Sequence, residues 1–116
     1  MPKLVNVLEQ MVMPALDSRE VHQIGNKLYV PLDEDRRIEI SLTTAGYAGN
    51  YEVILLKVVS KTAGELNCNG LKFRDLLGVG KMVSEDYKGG YALWRATKAD
   101  LETIRQAVSE YIELWS

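Results

Sequence analysis

The segment from Tyr51 to Lys61 predicts a β-strand that is apolar on both faces. Side chains alternate across a strand, so one face carries Ile54, Leu56 and Val58. The other face carries Tyr51, Val53, Leu55 and Val59, interrupted by Lys57. A strand with one face in water would alternate apolar and polar residues. The second face therefore needs cover from another part of the chain, a second copy, or a partner or ligand.

Shorter alternating segments precede this strand and predict a hairpin and one further strand. Glu20–Ile24 and Lys27–Pro31 flank Gly25-Asn26, a two-residue turn that sets His22 opposite Tyr29. Pro31 fits a strand end. The next strand, residues 37–43, directs one set of side chains to the core and the other set outward, namely Ile38, Ile40 and Leu42 against Glu39, Ser41 and Thr43.

The segment Glu65–Arg74 predicts the strand that follows, but its alternation changes phase. Leu66 and Cys68 share one parity, whereas Leu71 and Phe73 share the other. A β-bulge at Asn69-Gly70 would keep all four on one face and would direct Lys72 and Arg74 outward. Residues 75–81 predict a tight turn, and residues 82–87 and 91–96 a second hairpin about Gly89-Gly90.

Helical periodicity marks both ends of the chain. Residues 3–13 predict a helix with a wide apolar stripe that ends or kinks at Pro14. A second helix follows Thr97, a natural N-cap residue, and Arg105 can pair with Glu102 one turn away. The apolar stripe of this second helix comprises Leu101, Ile104, Val108, Tyr111, Ile112 and Trp115.

Together these elements predict one α+β domain that spans residues 1–116. Its core is a single antiparallel meander sheet of five to seven strands, with an N-terminal and a C-terminal helix, because every link between strands is short. We expect the apolar stripe of a helix to pack against the inner sheet face. Whether the N-terminal helix covers the second face stays open.

Composition narrows the classes of function. The chain has 116 residues and a net charge of −2, with both signs dispersed, which disfavours nucleic-acid binding and anchoring at an anionic membrane. No apolar run is long enough to span a bilayer. A single cysteine excludes an internal disulfide, so we expect a reducing, cytoplasmic setting.

The residue types that usually carry catalysis point to structural roles. His22 is the only histidine, and its pairing with Tyr29 is an ordinary cross-strand contact. Cys68 shares its predicted face with Leu66, which favours a small buried side chain. Residues 78–81 lack the P-loop spacing, and residues 33–35 lack the ligand spacing of an EF-hand. We therefore predict no catalytic group, metal site or cofactor.

The predicted function is a non-enzymatic protein-interaction or regulatory domain that acts through the outer sheet face. An apolar centre with a charged margin is typical of interfaces, and the occupant is a protein partner or, in a homodimer, a second copy. The predicted partner-binding residues are Tyr51, Val53, Leu55, Lys57, Val59, Lys72 and Arg74. An exposed aromatic loop set, Tyr47, Tyr87 and Tyr91, is a further candidate because tyrosine is common in recognition surfaces.

Two alternatives remain from the sequence. One is a small-molecule site or a minor enzyme, with His22, Tyr29, the Tyr47 loop and the pair Arg36-Arg37 as its participants. The other is a stacking platform for nucleic acid on the sheet, built from aromatic residues with Lys57, Lys72 and Arg74. The acidic net charge disfavours the second alternative.

Overall fold

A computed structural model describes residues 12–13, 15–16, 19–44, 50–77, 83–84 and 98–116. These residues form an antiparallel meander sheet and a C-terminal helix, which confirms an α+β architecture. In chain order the elements are β1 (His22–Ile24), β2 (Lys27–Pro31), β3 (Arg36–Thr44), β4 (Asn50–Ser60), β5 (Gly64–Lys72), α1 (Phe73–Leu77), β6 (Val83–Ser84) and α2 (Lys98–Trp115).

The first hairpin has the predicted register. Ile24 pairs with Lys27, and His22 with Tyr29, across the two-residue turn. Gly25 has a φ of 62°, a conformation that glycine adopts at little cost. The two-residue turn leaves the strands no other pairing, which explains why this register was predictable.

Strand β3 lies at the centre of the sheet between β2 and β4, with β1 and β5 at the edges. Ile38 pairs with Val58 and Ile40 with Leu56, so both residues of each pair point to the same face. Ile54, Leu56 and Val58 are fully buried on this inner face. The predicted inner face is therefore confirmed as the sheet's contribution to the core.

Strand β5 corrects the predicted position of a bulge. The register shifts where Val58 pairs with Asn67 and Val59 with Glu65, which leaves Leu66 as the extra residue. Pairing runs unbroken through Asn69 and Gly70, so the prediction of a bulge there was wrong. Since the shift occurs earlier, Cys68 lies on the opposite face from Leu71.

The end of β5 is also different from the prediction. The strand stops at Lys72, and Phe73–Leu77 forms a short helix instead of a continued strand and a tight turn. Arg74 therefore lies in a helix, and the prediction of a strand position for it was wrong. Phe73 is fully buried in the core, which anchors this helix against the sheet.

After β5, the chain continues through helix α1 to strand β6. Strand β6 pairs with the same edge of β4 as β5 does. Val53 to Ser60 of β4 pair with β5, whereas Asn50 and Tyr51 pair with Ser84 and Val83 of β6. Tyr51 pairs at the same time with Thr44 of β3. Strand β4 thus has a paired strand on each side, both at its first residues and at its last. The other residues of the second predicted hairpin, 82, 85–87 and 91–96, lie outside the described part of the chain.

Helix α2 buries most of its predicted stripe. Ile104, Val108, Tyr111 and Ile112 are buried, and Trp115 is partly buried against the same core. Leu101 is an exception at 38% exposure. The predicted ion pair of Arg105 with Glu102 is present. Thr97, the predicted cap, lies outside the described residues.

The described part of the N-terminal segment packs into the same core. Val12, Met13, Ala15 and Leu16 are helical, on both sides of Pro14. Val12 and Leu16 are fully buried and belong to one cluster with the inner sheet face and α2. The rest of the predicted N-terminal helix, residues 3–11, lies outside the described residues.

Candidate functional site

The candidate site is the outer face of the sheet, defined by the four described β4 side chains Val53, Leu55, Lys57 and Val59. Leu55, Lys57 and Val59 are each partly exposed. Val53 is more covered, at 9% exposure. Their inner neighbours on the same strand are fully buried. The sequence-based assignment of these four residues to one face agrees with the register of the strands on both sides.

Leu55 stands between the two smallest side chains of this face. It pairs with Ser41 on β3 and with Gly70 on β5. A Cβ atom placed on Gly70 would lie 3.1 Å from Cγ1 of Val53, a closer approach than side chains usually make. Glycine at this position therefore leaves room for the Cγ1 methyl of Val53, and no β5 side chain lies directly opposite Leu55. We call Val53, Leu55 and Val59 the apolar ridge of the outer face.

A shared carboxylate organises the β2–β3 side of the outer face. Glu39 accepts a hydrogen bond from Nη2 of Arg37 at 2.8 Å, and Nζ of Lys27 lies 3.6 Å from it. Its side chain is only 12% exposed. The Arg37 guanidinium lies 5.5 Å from the centre of the Tyr29 ring, in a cation–π arrangement. One acid thus holds two cations, and one of those cations covers the aromatic ring.

The β4–β5 side carries a more exposed ion pair. Nζ of Lys57 lies 3.5 Å from Oε1 of Glu65, whose side chain is 53% exposed. Cys68 pairs directly with Lys57 and is exposed. The prediction that Cys68 is a buried hydrophobic residue was wrong, because the bulge at Leu66 reverses its face.

The described outer face has an excess of positive charge. On strands β2 to β5 its cations are Lys27, Arg37, Lys57 and Lys72, and its carboxylates are Glu39 and Glu65. At the edge strand β1, the carboxylate of Glu20 lies beside His22, which pairs with Tyr29 on the same face. Lys72 is exposed and pairs with Val53, next to the apolar ridge. The β2–β5 part of the face therefore has two positive charges in excess, although the whole chain has a net charge of −2. The sign of this face is opposite to that of the molecule.

The acidic turn between β2 and β3 has a structural role. Asp33 accepts hydrogen bonds from the backbone N–H of Arg36 at 2.6 Å and from that of Asp35 at 2.9 Å. Asp35 accepts one from the Ser60 hydroxyl at 2.6 Å and one from the Thr62 hydroxyl at 3.1 Å. The bonds from Arg36 lower the pKa of Asp33, and that from Ser60 lowers the pKa of Asp35. These contacts tie two turns together at one end of the sheet.

Tyr111 is the polar group through which α2 contacts the sheet. Its hydroxyl donates a hydrogen bond to Oδ1 of Asn67 at 2.7 Å. Burial raises the pKa of Tyr111 to about 12, with a further contribution from negative charge at Cys68 and Glu65. The sequence pattern indicated this residue only as part of an apolar stripe. The described contact gives it a second role, because it fixes the helix against β5.

The other sequence candidates are only partly brought together. His22 pairs with Tyr29 as predicted, but its Nε2 lies 2.8 Å from Oε1 of Glu20. His22 and Cys68 occupy the two edge strands, four strand spacings or about 19 Å apart. The distance precludes a direct proton transfer between the histidine and the thiol.

Several predicted site residues lie outside the described part of the structure, either wholly or by their side chains. Tyr47, Tyr87 and Tyr91, the predicted aromatic loop set, lie outside the described residues, as do the side chains of Tyr51 and Arg74. Their predicted roles stay predictions. Within the described residues, no three His, Cys, Asp or Glu side chains are grouped closely enough to hold a metal ion.

The sequence pattern did not indicate Glu39 as the centre of the charge network or Cys68 as a member of the outer face. A signal for Cys68 was present in the β4–β5 turn. Gly64 has a φ of 79° and pairs with Ser60 across the three residues 61–63. A three-residue hairpin loop followed by a glycine in the left-handed region is a common turn with a bulge beside it. The extra residue, Leu66, lies two positions beyond that glycine.

In the described part of the chain, no helix has both the length and the apolarity to cross a bilayer. No protein-family model, no curated protein and no solved structure matches this chain.

Proposed function

We propose that this protein is a non-enzymatic protein-interaction or regulatory domain that binds through the outer sheet face. The occupant is another protein or a second copy of the chain. The observation that carries the proposal is the partial exposure of Leu55 and Val59 on β4, a strand that is paired on both sides. The water-exposed face of an antiparallel sheet is usually polar, and an apolar centre within a charged margin is the usual anatomy of an interface.

The charged groups on this face support a binding role. Lys57 and Glu65 form an exposed ion pair beside the apolar ridge, and Lys72 lies at its end. Such groups contribute little to folding stability, since exposed ion pairs are worth at most about 1 kcal/mol. At an interface the same groups set the orientation of the partner and the rate of encounter.

The test is site-specific photo-crosslinking from the outer face in the native cell. A photoreactive amino acid replaces Leu55 in one variant and Leu114 in a control variant. Leu114 is 77% exposed on α2, so the control places the same probe at an apolar, accessible position away from the sheet. We expect a discrete adduct from position 55 and none of that mass from position 114. Light scattering of the purified chain reports whether the adduct is a second copy.

The captured protein is then purified and titrated against the wild type, Leu55→Glu and Leu114→Glu. A charge placed on the apolar ridge should weaken binding at least about tenfold, which corresponds to about 1.4 kcal/mol, whereas the control should leave it unchanged. Both variants must retain the wild-type circular dichroism spectrum. Equal adducts from positions 55 and 114, or no loss of affinity in Leu55→Glu, would contradict the proposed function.

A further inference from the structure

The charge on the outer face indicates which class of partner it binds. We propose that the outer face binds an acidic, amphipathic protein segment, one that sets carboxylates against Lys27, Arg37 and Lys72 while its apolar residues cover Leu55 and Val59. This inference rests on the proposed function, because it names the partner chemistry for the same face.

Apolar and positive residues occupy separate positions on the outer face. Leu55 and Val59 lie on β4, whereas Lys27 and Arg37 lie two strands and one strand away, and Lys72 lies at the far end of β5. Cations therefore flank the apolar centre on both sides. A segment with apolar residues along its middle and acids on both flanks matches this arrangement.

The outer face already carries carboxylates of its own. Glu39 is 12% exposed and shared by Lys27 and Arg37, so it neutralises one of those two charges and leaves the other. Glu65 forms an ion pair with Lys57. The remaining positive charge is the surplus that an incoming carboxylate can pair with. Complementary charge of this kind selects partners and speeds their association.

A second copy of the chain is the less favourable occupant. A two-fold dimer brings the same patch of each copy together, so two β2–β5 surfaces that each have two positive charges in excess would oppose one another. Like charges across an interface are costly and are a usual means of rejecting a partner. The charge pattern therefore favours a different molecule over self-association.

Nucleic acid is also less favourable than an acidic protein segment. A phosphate backbone would pair with the cations but would leave Leu55 and Val59 in water. Single-strand binders stack bases on exposed aromatic rings. The described aromatic residue of this face is Tyr29, and the guanidinium of Arg37 lies over its ring.

The experiment uses the intact chain and two synthetic peptides that share the same leucine positions. One peptide has glutamate at its remaining charged positions, and the other has lysine. Binding is followed by fluorescence anisotropy, and the bound face is identified from amide chemical shifts. We expect the glutamate peptide to bind at least about tenfold more tightly than the lysine peptide, with shifts at Leu55, Lys57 and Gly70. Raising the ionic strength should weaken it, since exposed charges are screened.

Two variants with equal charge change separate a local effect from a general one. Lys72→Glu places a negative charge on the outer face, and Lys98→Glu places one at the exposed start of α2. Lys72→Glu should weaken binding of the glutamate peptide severalfold, and Lys98→Glu should leave it within twofold of the wild type. Equal losses in both variants would overturn the inference, because they would report net charge alone.

Several further results of these experiments would count against an acidic partner segment. The inference is overturned by equal binding of the two peptides, by no binding of the glutamate peptide, or by tighter binding of a mixed-sequence oligonucleotide or of anionic phospholipid vesicles. Dimerisation through Leu55 would overturn it as well. That last result would leave the proposed function standing, whereas crosslinking without preference for Leu55 would remove the proposed function itself.

Discussion

Strand β4 has apolar residues on both faces, but the two faces have different environments. Leu56 is fully buried beneath the helices, whereas Leu55, the preceding residue, is partly exposed. The described residues of the N-terminal segment and the buried stripe of α2 belong to one core with the inner face. The contrast shows that cover by other elements, and not residue type, decides how much a strand position contributes to stability. It also makes the two faces separable by mutation.

The largest expected effect compares two leucines at adjacent positions. Leu56→Ala should lower the free energy of unfolding by about 3 kcal/mol, because it removes a buried side chain and leaves a cavity. Leu55→Ala should lower it by about 1 kcal/mol, since that side chain already contacts water. Urea denaturation of the two variants measures both values.

This pair is informative because residue type, strand and substitution are identical. Equal losses in the two variants would contradict the described difference between the faces. They would indicate that the outer face is as fully covered as the inner one.

The next effect concerns the polar contact on the inner side. The pKa of Tyr111 is raised to about 12 from an ordinary value of 10.0. Between these values the unfolded chain releases the phenolic proton before the folded chain does. The free energy of unfolding should therefore be fully retained below pH 10 and should fall by about 2 kcal/mol as the pH approaches 12.

Tyr111→Phe provides the control for this pH dependence. It removes the ionisable group and the hydrogen bond to Asn67. The variant should be less stable at neutral pH by about 1 kcal/mol, and its stability should fall less steeply above pH 10. Parallel profiles for the two proteins, measured by denaturation across this range, would show that Tyr111 is not the group responsible.

The smallest effect compares two carboxylates on the outer face. Glu39→Gln should lower the free energy of unfolding by about 1 kcal/mol, because its nearly buried side chain holds two cations. Glu65→Gln should change it by less than about 0.5 kcal/mol, since this group is exposed and has one partner. Thermal melts at low and high salt provide the measurement. A larger loss for Glu65→Gln would contradict the assigned order.

The sequence predicted those features that short-range geometry determines. The Gly25-Asn26 turn dictated the β1–β2 register. Alternation of apolar and polar residues separated the two faces of β3, and the alternating direction of side chains along a strand separated those of β4. The predicted position of the bulge in β5 was wrong. Apolar residues occupy both parities of this segment, so the pattern did not indicate whether Cys68 or Leu71 faces the core. Helix α1 was missed because five residues are too few to show a helical period.

The candidate site was predictable as a set of positions but not as an environment. Alternation placed Leu55, Lys57 and Val59 together, and register with β5 added Lys72. The partial burial of Glu39 depends on the approach of Lys27 from β2 and Arg37 from β3. Such a contact across strands is set by the assembled sheet, so no local pattern indicates it.

The arrangement of β5, α1 and β6 along one edge of β4 has a consequence for hydrogen exchange. Because β4 pairs with β3 on one side and with β5 and then β6 on the other, its amides are enclosed by neighbouring strands. Their exchange with solvent requires opening of the whole sheet, whereas the three-residue edge strand β1 opens by local fraying. Strand β4 is therefore the segment whose amide protons report global unfolding.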